Sequence, residues 1–190
     1  MLNINGADAE SVNQGEIEAQ EQLMALVDFL QTFVPGFENS YLIQAASTLG
    51  IRESRRLVGR TVLRGREAIT CKHFPDAIAC GSYIIDIHDP NGKARAIGGE
   101  LRGDYYEIPY GCLLAKEPKN LLACGRCISV DHVAHSSTRI QGTCAMTGQA
   151  AGTAAALAVQ NTIDPADVNV QKLRAKLRAD GVFLGKENER

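Results

Sequence analysis

Leu23, Leu26, Val27, Leu30 and Phe33/Val34 recur at intervals of three and four residues, which puts them on one face of a helix starting near Gln14. Pro35–Gly36 ends that helix, and residues 1–13 before it read as a flexible polar lead. YLIQAASTLGI (41–51) opens with strand composition at Leu42 and Ile43. The stretch to Leu63 continues as a turn and a further strand. Short helices are predicted at 67–71 and at FPDAIAC (74–80). In SYIIDIHD (82–89), Tyr83, Ile85 and Ile87 alternate with Ile84, Asp86 and His88, the period of a strand. Asp89-Pro90-Asn91-Gly92 is a turn signal, and a polar loop runs from 91 to 103. Residues 105–114 are extended, but Pro109 keeps them from being a central strand throughout. NLLAC (120–124) suits a strand buried on both faces. A polar loop leads from Gly125 to a helix of small residues that runs to about Val159. After a turn at Asp164–Pro165 comes a last helix, Val170 to Asp180, closed by Gly181, and then a tail over 185–190.

The small-residue helix, in QGTCAMTGQAAGTAAALAVQ (141–160), is unusual. Gly148, Gly152 and Ala156 are four apart and share a face, which Ala151 and Ala155 widen. Each helical glycine costs roughly 1 kcal/mol against alanine, so the face predicts a close approach by another backbone or a flat ligand. Thr143, just after Gly142, is the expected N-cap. The amides of Cys144, Ala145 and Met146 would then be left unpaired in the first turn and share a helix-end charge of roughly +0.5. An electron-rich ligand atom suits that position. Gly125 and Arg126 follow the predicted strand at 120–124, and ligands of open α/β sheets sit outside the carboxyl ends of strands.

Composition narrows the classes of function. The net charge of −2 gives no general field for a polyanion, but the charges are segregated. Residues 1–40 hold seven acidic groups and no Lys or Arg, while 52–66 carry Arg52, Arg55, Arg56, Arg60, Arg64 and Arg66. No aromatic residue interleaves these arginines to stack a base, so a nucleic-acid partner is not expected. There is no apolar run of about 18 residues for a membrane span, and MLNINGADAE is not a secretory signal. Six cysteines over this length suit reduced thiols in the cytoplasm.

Beyond the small-residue helix, NLLACGRCISVDHVAHSSTRIQGTCAMTGQAAGTAAALA as a whole resembles the C-terminal flavin segment of the FAD-dependent oxidoreductase family, in the branch akin to the flavin-bearing A subunit of heterodisulfide reductase. VPGFENSYLIQ, GIRESRRLVG, HFPDAIACGSYIIDIHDP, YYEIPYGCLL and DVNVQKLRAKLRADGVFL extend the resemblance over about Gln14 to Leu184. It implies an α/β fold: the C-terminal strand–helix part of a Rossmann-like FAD-binding domain over 104–184, and a mixed α+β cap region facing substrate over 14–103. It implies FAD as cofactor, with the helix-start amides near Cys144–Met146 toward the flavin ring and Gly125 and Arg126 along the ribityl–diphosphate side. His132 and His135 become candidates for a proton relay, and Arg139 for contact with a small-molecule substrate. A 4Fe-4S cluster is implied by association with the branch alone, since no C-x2-C-x2-C run is present.

The sequence also lacks G-x-G-x-x-G, the turn that holds the pyrophosphate in such enzymes. The expectation is therefore a C-terminal fragment, or a non-catalytic subunit that completes a partner carrying an N-terminal flavoprotein half. Two rival chemistries share the segment. Cys124, Cys127, His132 and His135 have spacing suited to a zinc module. Cys124-x-x-Cys127 is formally a redox pair, but Ile128–Val130 do not open a helix as a thioredoxin-like motif would, so two buried structural thiols are expected.

Overall fold

The computed structural model describes residues 4–87 and 97–186. The chain divides into two compact units, residues 1–54 and residues 55–190.

In the first unit, α1 (Ala9–Phe33) begins five residues before Gln14, so the lead expected over 1–13 is helical from Ala9 onward. Asp8 is the reason: its carboxylate accepts a hydrogen bond from the Ser11 amide and caps the helix. At the other end the Val34 amide donates to Leu30, and Gly36 at φ +92° turns the chain away, as Pro35–Gly36 predicted. The strand expected over 41–51 does not form. Tyr41 and Ile43 are 79% and 88% exposed, and no neighbouring strand offers a ladder. This segment is tied to α1 instead, the Leu49 amide donating to Glu16 Oε1 at 3.1 Å.

In the second unit, β1 (Ala77–Gly81) pairs antiparallel with β4 (Tyr106–Pro109), Ala79 opposite Ile108 and Gly81 opposite Tyr106. The short helix predicted over 74–80 is thus a strand. Every residue of β1 is buried, and that packing outweighs the helical preference of its alanines. The division expected near Gly103 on functional grounds differs from the compact units, since β1 and β4 pair across it. β2 (Ile85–Ile87) pairs antiparallel with β3 (Ile97–Gly99), which lies in the stretch expected as loop. The turn predicted at 89–92 falls outside the described residues.

β4 ends at Pro109 in a 3-10 turn, Tyr110–Cys112. The buried strand predicted at 120–124 is absent: Leu121 is 44% exposed, Cys124 is exposed, and Leu122 makes one isolated bridge to Leu114. The polar loop predicted from Gly125 to Gly142 contains a 3-10 turn, Gly125–Cys127, and a helix, α3 (His132–Thr138). α4 (Gln141–Asn161) and α5 (Val170–Ala179) follow, with α2 (Gly65–Ile69) earlier in the chain.

Leu63, Ile78, Ile108, Leu113, Ile128, Leu173 and Leu177 form the core of this unit. α4 packs on β1 and α5 through Ala150, Ala151, Ala154 and Ala158, small side chains that let backbones come close. The mixture of helices and small sheets is compatible with an α/β fold, though the pairings among the described strands are antiparallel. No helix among the described residues is long and apolar enough to cross a membrane.

Candidate functional site

Asp131 organises the site. As N-cap of α3 its carboxylate accepts from the Ala134 amide at 2.8 Å, and both of its oxygens accept from the Gly65 amide at 3.0 Å, joining the starts of α2 and α3. Gly65 is a glycine of necessity, because a Cβ there would lie 2.3 Å from Val133 Cγ1. The far side of α3 is held as well. Ser136 Oγ accepts from the Asp86 amide at 3.1 Å, and the Ser137 and Tyr106 hydroxyls meet at 2.8 Å.

This fixed helix positions the turn that precedes it. His135 is 1% exposed, and its Nε2–H donates to the Arg126 carbonyl at 3.0 Å. From the opposite side the Gly125 amide donates to Thr147 Oγ1 at 3.0 Å, and the Thr147 hydroxyl donates to the Cys144 carbonyl at 2.9 Å. Gly125 adopts φ +72°, a left-handed conformation that glycine enters without a Cβ penalty. The turn Gly125–Cys127 is therefore clamped between α3 and α4, with Arg126 and Cys127 at its exposed edge.

The start of α4 lies beside it and differs from the prediction. Thr143 is not the N-cap. Ile140, in extended conformation and without a side-chain cap, holds that place, and the Cys144 amide already donates to the Ile140 carbonyl at 2.9 Å. The cause is α3, which ends at Thr138 and feeds almost directly into α4. The first-turn amides are those of Gln141, Gly142 and Thr143, whereas the amides of Cys144, Ala145 and Met146 fall within the helical ladder.

Among the predicted cofactor contacts, Gly125, Arg126, Thr143 and Cys144 converge on this corner. Ala145 is exposed one turn along, and Met146 is half-buried against the core. The catalytic candidates part company. His132 is exposed at the first position of α3, His135 holds the turn, and the Arg139 guanidinium donates to the Asp86 carbonyl at 3.3 Å. The zinc alternative does not survive the geometry: His135 is directed to a carbonyl, and no three His, Cys, Asp or Glu residues among the described ones are placed to hold a metal ion. Cys124 and Cys127 are exposed, not buried, because the strand meant to bury Cys124 does not form. Burial raises the Cys144 thiol pKa. Arg126 partly counters this, and the Cys124 and Cys127 thiols add to it, so these groups act on one another electrostatically.

Thr147 and Asp131 escaped the sequence reading. Asp131 carried a readable signal, an acidic residue three positions before Ala134 at a helix start. Thr147 carried none, because its role depends on where the turn lands in space.

The small-residue face of α4 is uncovered. A Cβ placed at Gly142, Gly148 or Gly152 would meet no atom within 4 Å. Ala151, expected to widen that face, is instead buried together with Ala150, Ala154 and Ala158. One corner thus combines first-turn amides, an exposed guanidinium and open backbone beside glycines. That donor set suits an anionic or electron-rich ligand with a flat body. The larger hollows lie elsewhere. A cavity of about 270 Å³ in the first unit is lined by Glu16, Leu23 and Leu49, and one of about 910 Å³ sits at the other end of α4 beside Val159 and Pro165. Neither is lined by Lys or Arg, so the donor groups locate the site better than volume does.

Such a corner offers donors of the kind that an anionic cofactor would need. The model of the FAD dependent oxidoreductase family matches residues 1–177, and the chain belongs to that family. Membership implies FAD binding and a flavin-dependent redox role. No curated protein and no solved structure matches the chain.

Proposed function

We propose that the chain forms one wall of a flavin site in an oxidoreductase acting on a small-molecule substrate, with the corner between Gly125–Cys127 and the start of α4 turned toward FAD. On this reading residues 104–184 are the C-terminal part of a Rossmann-like flavin domain and 14–103 part of the cap. Residues 141–143 present amides to the electron-rich edge of the ring, and Arg126 faces the diphosphate side. When bound, FAD supplies hydride or electron transfer. The chain's residues orient it and keep its face accessible, His135 acts as a positioning residue for the turn, and His132 is the exposed group able to move a proton toward substrate. Six cysteines without a disulfide support a cytoplasmic setting. The observation that carries the reading is the uncovered glycine face of α4, which meets its open first turn beside Arg126.

The 190 residues contain no G-x-G-x-x-G turn, so firm FAD binding requires a pyrophosphate cradle from another segment, of the same polypeptide or of a partner. Either source would complete the site that this chain forms in part. Titration of FAD into the purified chain, followed by flavin fluorescence, tests both points. Weak quenching alone and strong quenching with a polypeptide carrying strand–GxGxxG–helix are expected. Stoichiometric FAD retained by the chain alone would overturn the need for the second segment. Undiminished uptake by Gly142→Leu or Gly148→Leu would remove the corner from the site.

A further inference from the structure

The turn that carries Arg126 also carries two thiols that the flavin reading does not use. Cys124 and Cys127 flank a two-residue link, and both side chains are exposed. Cys127 Sγ–H donates to the Cys124 carbonyl at 3.2 Å, so its thiol points back along the turn. A carbonyl oxygen lies roughly 2.4 Å from its own Cα, which puts the Cys127 sulfur within roughly 6 Å of the Cys124 Cα. The two residues are also the ends of one 3-10 turn, which rises about 2 Å per residue and so sets residues three apart about 6 Å from each other, inside the roughly 4.4–6.8 Å between Cα atoms that disulfides join. The backbone beneath is held by Thr147 on one side and His135 on the other, so the thiols are presented on a fixed base. A thiolate is the attacking species in exchange, and both thiols stand at the exposed edge of the turn. Cys144 differs. It is half-buried, and its thiol donates to the Thr138 carbonyl at 3.7 Å.

We propose that Cys124 and Cys127 form a redox-active dithiol that closes to a disulfide by exchange with a small-molecule disulfide. The thiolate of one cysteine attacks RS–SR, forms a protein mixed disulfide and expels one RS⁻. The thiolate of the other attacks the protein sulfur of that mixed disulfide, closes the Cys124–Cys127 bond and expels the second RS⁻. The protein loses two thiol protons and two electrons, and both appear as two RSH. The site stands on the turn alone and does not depend on bound flavin.

The test uses the purified chain equilibrated with mixtures of reduced and oxidised glutathione, quenched by alkylation and digested with trypsin. Cleavage after Arg126 separates the two cysteines. The proposed disulfide therefore keeps peptides 120–126 and 127–139 joined, with two of the six thiols lost together and a mass lower by about 2 Da. Cys124→Ser is expected to stop the reaction at the first step, leaving glutathione on Cys127, and Cys127→Ser to leave it on Cys124. The wild-type measurement needs no variant to fold. Persistent glutathione on both cysteines without a joined peptide, or a joined peptide that contains Cys144, would overturn the proposal.

Discussion

Residues 1–54 and residues 55–190 use similar hydrophobic patterns to different effect. α1 has the length and apolar stripe of a core helix, yet its one fully buried residue is Gly15. Met24, Leu26, Phe29 and Phe33 are each more than half exposed. In 55–190, the short strands β1 and β4, with weaker patterns, are buried at every position. Periodicity specifies which face of an element is apolar. Whether that face is covered depends on what the rest of the chain brings to it, and α1 has little beside residues 4 and 45–51.

The largest effect that separates the two units is loss of core volume. Leu177, on α5, is completely buried, so Leu177→Ala should lower stability by about 2–5 kcal/mol in a denaturant titration. Phe29 is 52% exposed and touches Phe33 with ring centroids 5.4 Å apart. Phe29→Ala should cost no more than about 1 kcal/mol in the same assay. Equal losses would mean that α1 is covered in solution by something other than this chain.

Alkali separates the units next. Burial raises the Cys112 thiol pKa from 9.0 to about 12, against a weaker opposing hydrogen bond at Leu63. Burial likewise brings Tyr106 to about 12, with Ser137 opposing, and Tyr110 to about 12, with Arg60 opposing. Each folded pKa lies above its unfolded value, so the unfolded chain loses these protons first. The stability they contribute is complete below about pH 9 and is lost as the pH rises toward 12. Residues 1–54 hold no cysteine and one tyrosine, the exposed Tyr41. Circular dichroism melts between pH 8 and 11 should therefore show falling stability, and Cys112→Ala should flatten the fall. An unchanged slope would remove Cys112 from the account.

How far the sequence revealed all this depended on the range of the interactions. α1, α4 and α5 were legible because helical spacing and terminal Gly or Pro are local signals. β1 was misread because its alanines favour helix until Tyr106–Pro109, far along the chain, supplies a ladder. The strand at 120–124 failed for the converse reason, since apolar composition found no partner beyond Leu114. At the site, Gly125 takes the left-handed turn that glycine chemistry allows, although the strand expected to lead into it is absent. The cap of α4 was misplaced because α3 was read as a loop, which pushed the helix start back to Thr143. The exposure of Cys124 and Cys127 was hidden by the same false strand.

Packing space gives a smaller contrast, this time inside one unit. A methyl group at Gly65 would sit 2.3 Å from Val133 Cγ1, and β-branched Val133 has little freedom to yield. Gly65→Ala should cost about 1–3 kcal/mol, read as a lowered denaturant midpoint at unchanged slope. A neutral result would mean that α2 and α3 sit farther apart than the Asp131 contacts require.

The smallest effect carries the opposite sign. Gly152 lies on the uncovered face of α4, where an added Cβ meets nothing within 4 Å and the backbone is already helical. Alanine there relieves the helical cost of glycine, so Gly152→Ala should stabilise the chain by about 1 kcal/mol. On the proposed reading, a glycine that weakens its own fold without a close neighbour is accounted for by the flavin that approaches that face. The same substitution should therefore strengthen the isolated chain while weakening flavin uptake once the pyrophosphate-binding segment is supplied. Thermal denaturation and flavin titration of the one variant read the two signs separately. A gain in stability with uptake unchanged would leave the open face of α4 without a ligand. A loss of stability would mean that the face is covered after all.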